Sequence, residues 1–229
     1  MLIQSSAVVP PSGLVVRSVR PLAIATSALL GLTAAADLFA VYAGIQMHRV
    51  SGALFTRSDD EIVRTDDLYQ LAGRLQLSGI LVTAIVFLLW FYRVRCNADV
   101  FVQDVCTRSR GWAIGSWFIP IANLWMPFTI AREIWTASAQ TAPDKSWREV
   151  SQRLVKAWWT SWIAAVVMAR ISSTLQSRAK TPEALQHAAD MTMAADALNL
   201  AAALLAIAFV WKLTAMQHPN TTLGTASAT

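Results

Sequence analysis

Residues 75–92, LQLSGILVTAIVFLLWFY, run for 18 positions without a charge between Arg74 and Arg93. That is about the length an α-helix needs to cross a hydrocarbon core of roughly 30 Å. Val82, Thr83, Ile85, Val86 and Phe87 would suit a strand by propensity. A lone strand leaves its backbone groups unpaired in lipid, so the helix is the only solution for a single segment. Composition agrees, because 55% of the 229 residues are hydrophobic and only 14% are charged. A soluble domain usually carries about a quarter charged residues. A soluble chain this apolar would expose large greasy patches.

Three more stretches are long enough to span, and each contains one charge. Residues 21–47 contain only Asp37, residues 157–177 only Arg170, and residues 191–211 only Asp196. Pro21 suits a first helical turn. Residues 111–131, GWAIGSWFIPIANLWMPFTIA, are uncharged but hold Pro120, Asn123 and Pro127. Each proline removes a backbone donor and breaks a helix. This stretch therefore reads as either a broken fifth span or a re-entrant hairpin. The expected fold is all-α, a polytopic transmembrane helix bundle with four spanning helices plus this Pro-broken segment. The expected organisation is a disordered cytoplasmic tail over 1–20, a transmembrane domain over 21–217 and a disordered tail over 218–229.

Ser58 followed by Glu61 is a capping-box pattern, so residues 59–73 read as a surface helix leading into the second span. Arg17 and Arg20 before an apolar run, with Ala34, Ala35 and Ala36 beyond, also resemble a signal peptide. The apolar run continues through Leu38–Tyr42, which favours a retained span.

Basic residues set the expected orientation. With a hairpin and the N-terminus inside, twelve Lys and Arg fall inside and seven outside. With a fifth crossing the split is nine against ten, which carries no bias. Four spans plus a hairpin is therefore the expected topology, in a bacterial plasma membrane with the N-terminus cytoplasmic. No clustered basic tract points to nucleic acid. Cys96 and Cys106 lack metal-site spacing, and no phosphate loop, HExxH or GxSxG motif occurs. No cofactor is implied.

Three segments carry a family resemblance: WFYRVRCNA (90–98), RGWAIGSWFIPIANLWMP (110–127) and REIW (132–135). The chain resembles the actinobacterial integral-membrane family known as domain of unknown function 4328, over roughly residues 70–215. Arg110 stands where such proteins typically have Pro, and Met126 where they have Lys or a similar polar residue. The resemblance implies a multi-helix membrane fold and no activity, so function rests on sites.

Three constellations are candidates for chemistry. Intramembrane charges are costly and default to functional hypotheses, which singles out Asp37 and Asp196 as proton-donating or cation-binding groups, with Arg170 as charge partner. At 1.5 Å per residue they lie about 24, 22 and 20 Å from the inner ends of their spans, a shared level. The alternative is an ion pair that fixes packing, or charges snorkelling to the interface. The second constellation is aromatic: of ten Trp, eight fall between 112 and 162, including Trp112, Trp117, Trp125, Trp147, Trp158 and Trp159. They read as an interfacial belt or as a pocket for a flat or cationic ligand. The third is the polar set beside the hairpin: Arg93, Arg95, Asn97, Asn123, Arg132 and Glu133. Two arginines could hold a phosphate or diphosphate headgroup, or serve as positive-inside anchors.

The leading expectation is a non-catalytic protein that binds a lipidic ligand or a membrane partner, or a second copy of itself, through the hairpin. The alternative is a terpene-cyclase-like acid catalyst on an isoprenoid, with Asp37, Asp196 and Glu133 as candidate acids. A small proton-coupled transporter is a further alternative.

Overall fold

A computed structural model describes residues 16–51, 58–102, 105–139 and 150–217. The expected tails before residue 16 and after 217, and Trp147, lie outside the described residues. The elements are α1 (Arg20–Ser51), α2 (Asp59–Phe101), α3 (Trp112–Gly115), a 3-10 turn (Ala122–Leu124), α4 (Met126–Ala139), α5 (Arg153–Arg178) and α6 (Pro182–Gln217). No strand occurs among the described residues. Helices α1, α2, α5 and α6 are long and apolar enough to cross a membrane.

Helix α2 is 43 residues, about 65 Å at helical rise, or twice the hydrocarbon thickness. Its surface portion and its span are one continuous helix. Ser58 occupies the N-cap with extended backbone, and its carbonyl accepts from the Glu61 and Ile62 amides. The side-chain cap bond expected from the sequence is absent. Thr65 Oγ1 donates to the Glu61 carbonyl (2.9 Å) in the first turns, and further along the Gln70 amide donates to Asp66 (2.8 Å) and Arg74 donates to Gln70 (3.3 Å), each one turn apart. Helix α6 likewise begins nine residues before its apolar window, with Pro182 in its first turn.

Helix α1 packs between α2 and α6, and α6 packs between α1 and α5. Small residues permit close approach: Ala40 and Ala43 of α1 pack with Ala72 of α2, Gly44 of α1 meets Met193 of α6, and Ala188, Ala195 and Ala202 are buried on α6. A Cβ on Gly44 would lie 2.8 Å from Met193 Cγ, so only glycine fits that contact without displacing the methionine.

The ends of the helices settle the topology. Arg17, just before α1, exchanges backbone bonds with the Asn97 side chain near the end of α2. Asn97 in turn donates to Gln217 at the end of α6. Trp158, in the first turns of α5, stacks on Phe209 of α6 at 4.5 Å. The chain therefore leaves α2 and enters α5 at the same end of the bundle. Residues 111–131 do not cross, and the four-span arrangement holds. Pro120 ends the first limb of the hairpin, and Pro127 sits in the first turn of α4, where its missing amide costs nothing. Residues 16–19, expected as the end of a loose tail, are pinned by Asn97.

Candidate functional site

The candidate residues divide between the two ends of the bundle. At the hairpin end the aromatic side chains form one packed cluster. Trp117, on the hairpin, meets Phe87 (5.6 Å), Phe91 (6.2 Å), Trp159 (6.0 Å) and Trp162 (5.5 Å). Trp90 and Trp135 pack on Phe209 from two sides. Trp90, Trp135, Trp158 and Trp159 are all buried. These rings are core, held edge-to-face and stacked as aromatic quadrupoles prefer. Neither an interfacial belt nor an open-walled pocket describes them. Trp112, Trp125 and Trp211 are exposed and do fit a belt.

The hairpin has two faces. Ala113, Ser116 and Ala122 are buried beneath it. Phe118 (71% exposed), Ile119, Ile121 (69%), Leu124 and Trp125 form an apolar crest left uncovered by the described residues. Asn123 lies on this turn, partly buried, and its Oδ1 is without a partner among the described residues.

The polar candidates at this end have structural partners. Arg95 is 2% exposed and bonds Asp99 and the Arg108 carbonyl. Asp99 also accepts from Arg110 Nε at 2.7 Å, which holds the Arg110 guanidinium even more firmly protonated. Asn97 clasps Arg17 and Gln217, and Gln217 donates to the Val94 carbonyl and to Ser138. Glu133 accepts from Thr107 (2.7 Å) and lies 3.9 Å from Arg108, while Arg132 turns away to Gln152. Of the arginines expected to face a headgroup, Arg95 is therefore buried and engaged, whereas Arg93 is partly exposed. Burial pushes the nearby Cys106 thiol up to about 11. Both cysteines are free.

At the far end the structure brings Asp37 and Asp196 together. Both are buried, at 2% and 5% exposure. Gln76 Nε2 donates to Asp37 Oδ1 (2.9 Å) and to Asp196 Oδ1 (2.8 Å). The shared depth expected from residue counting is realised, and Gln76, 17 residues before Arg93, sits at about 25 Å on the same scale. Arg170 is not brought to them, since it is exposed on α5. A long guanidinium stem there can reach the interface. Nearer the hairpin end, one turn from Asp37 on α1 and two turns from Gln76 on α2, Thr33 and Thr83 bond at 3.1 Å.

Sequence reading missed Gln76, Asp99 and Gln217. Gln76 had a signal, since an amide inside an uncharged span needs a partner there. Asp99 and Gln217 had none, because both stand outside the apolar windows in otherwise ordinary polar surroundings.

Four membrane-length apolar helices with a hairpin folded back at one end define a polytopic helical membrane protein. Residues 56–215 match the family described as Domain of unknown function (DUF4328), and the chain belongs to that family. Searches of curated proteins and of solved structures return no match.

Proposed function

We propose that this protein is a non-catalytic membrane interaction protein whose hairpin binds an anionic lipid. The carrying observation is the two-faced hairpin: Trp117 anchors it to four rings, and Phe118, Ile119, Ile121, Leu124 and Trp125 project from it. A crest so anchored enters the acyl region as a fixed wedge. Partly or fully exposed cations flank it in the chain and on neighbouring helices: Arg93, Arg108, Arg110 and Arg132 before and after it, and Arg153 and Lys156 at the start of α5. Guanidinium groups at that level suit phosphate oxygens. The same positive excess supports placing the hairpin end on the cytoplasmic side of a plasma membrane.

The catalytic reading takes second place on distance. Gln76, which marks the level of the carboxyls, stands eleven residues from Phe87 in the ring cluster, about 16 Å along α2. An isoprenoid cyclase needs its acid beside its ring walls, and only Glu133 is near them.

The test is lipid co-purification. Full-length protein extracted from membranes of mixed composition should retain anionic phospholipid over phosphatidylcholine, read by mass spectrometry. Replacing Phe118 and Ile121 together by Ser should abolish the enrichment while leaving the folded yield intact. Equal retention by both proteins would defeat the reading.

A further inference from the structure

The geometry points to a second site at the far end: Asp37, Gln76 and Asp196 together hold one monovalent positive charge, a proton or an alkali cation, between α1, α2 and α6. This goes beyond the hairpin reading and does not depend on it.

Four observations converge. First, both carboxyls come from membrane-spanning segments and are almost wholly buried. A carboxylate in that setting needs a compensating charge or donor. Second, the only hydrogen-bond donor supplied to either among the described residues is the one amide nitrogen of Gln76. An amide is neutral and cannot balance two carboxylates. Third, no Lys, Arg or His pairs with either acid among the described residues. Fourth, Asp196 Oδ2 is buried without a hydrogen-bond partner among the described residues. A buried acceptor left open is a position prepared for something else.

The distances fit. Two oxygens that share one donor at 2.9 and 2.8 Å stand no more than about 6 Å apart. Two carboxylates that close cannot both stay charged without a cation between them. The carboxamide of Gln76 turns over to offer Oε1 when a metal cation is bound and Nε2 when a proton is shared. The site lies only two residues below Arg74, near the far interface, so exchange with that side is short.

The charged groups around it are separable. On α1 and α6 the nearest is the His48–Asp190 pair at 2.9 Å, eleven residues beyond Asp37 and six before Asp196. On α2, Arg74 is engaged with Gln70 and Asp66 lies further out. On α5, which packs against α6, Arg170 is exposed.

Because the charge ties three helices together, its occupancy should stabilise the fold by mass action. The experiment is thermal unfolding of the full chain in lipid nanodiscs. One series varies pH in choline chloride; the other varies NaCl against choline chloride at fixed pH and ionic strength. The midpoint should rise by about 3–6 °C per tenfold increase in the bound cation above its Kd. A response to NaCl identifies a metal cation, and a response to pH alone identifies the proton. The Asp37→Asn and Asp196→Asn variants should lose the response, and His48→Gln should keep it. A wild-type midpoint flat in both series, or a response retained in full by both Asn variants, overturns the site. If either variant does not fold, wild-type labelling by dicyclohexylcarbodiimide with peptide mapping replaces it. Modification of Asp37 or Asp196 that falls with rising pH or NaCl supports the site, and modification indifferent to both overturns it.

Discussion

The two ends of the bundle are held by different physics. At the hairpin end, six tryptophans and four phenylalanines fill the space between the hairpin, α2, α4, α5 and α6. Arg95, Asn97 and Gln217 are partnered there. Polar atoms left open at that end among the described residues, including Trp117 Nε1, Asn123 Oδ1, Glu133 Oε2 and Trp135 Nε1, sit singly within dense packing. At the far end Gln176 of α5 donates to Tyr69 of α2 at 3.1 Å, and α1 and α2 pack through a small cluster of Ala40, Ala43 and Ala72 with Phe39 and Tyr69. There α1, α2 and α6 share polar contacts with an acceptor left open among the described residues. Dense packing tolerates no vacancy and gives a fixed platform. Sparse polar bonding leaves a place where binding a single charge can shift the balance. The difference supports the proposed anchoring role for one end and the proposed cation exchange for the other.

That contrast can be broken most directly at the rings. Trp158→Ala, which removes the ring stacked on Phe209, should destabilise the protein by about 3–5 kcal/mol, read as a lower unfolding midpoint in detergent. A smaller loss would mean the cluster is less tightly packed than it looks. Arg95→Leu should cost about 3 kcal/mol, because Asp99 and the Arg108 carbonyl lose a buried donor. Adding Asp99→Leu should recover part of that loss in a double-mutant cycle.

At the far end the expected effects are smaller. Gln76→Leu should cost about 1–2 kcal/mol, and Thr83→Val about 0.6 kcal/mol, the usual range for hydrogen bonds between helices in lipid. If either matched Trp158→Ala, the two ends would not differ as described.

Cys106 gives the gentlest probe of the hairpin end. Its thiol is held up by burial first, so alkylation should be slow at pH 8 and keep accelerating toward pH 11. The sign for stability follows. Between the ordinary thiol value of 9.0 and about 11 the unfolded chain releases this proton while the folded chain keeps it. Stability should therefore fall as pH rises through that window. An alkylation rate that levels off near pH 9 would show an open, hydrated hairpin base.

The four spans and the broken character of 111–131 could be read from residue order alone, because lipid forbids every backbone solution except a helix and proline forbids its continuation. The common depth of Asp37 and Asp196 was likewise a matter of counting at constant rise. What pairs with what was not available in this way. Gln76, not Arg170, bridges the acids, and Arg95 and Asn97 turn inward to Asp99 and Gln217 instead of outward to a headgroup. Helical periodicity fixes the level of a side chain within the membrane, whereas the rotation of each helix and its choice of neighbour come from packing against segments far away in the chain. Only the assembled bundle determines which buried group meets a partner and which is left open.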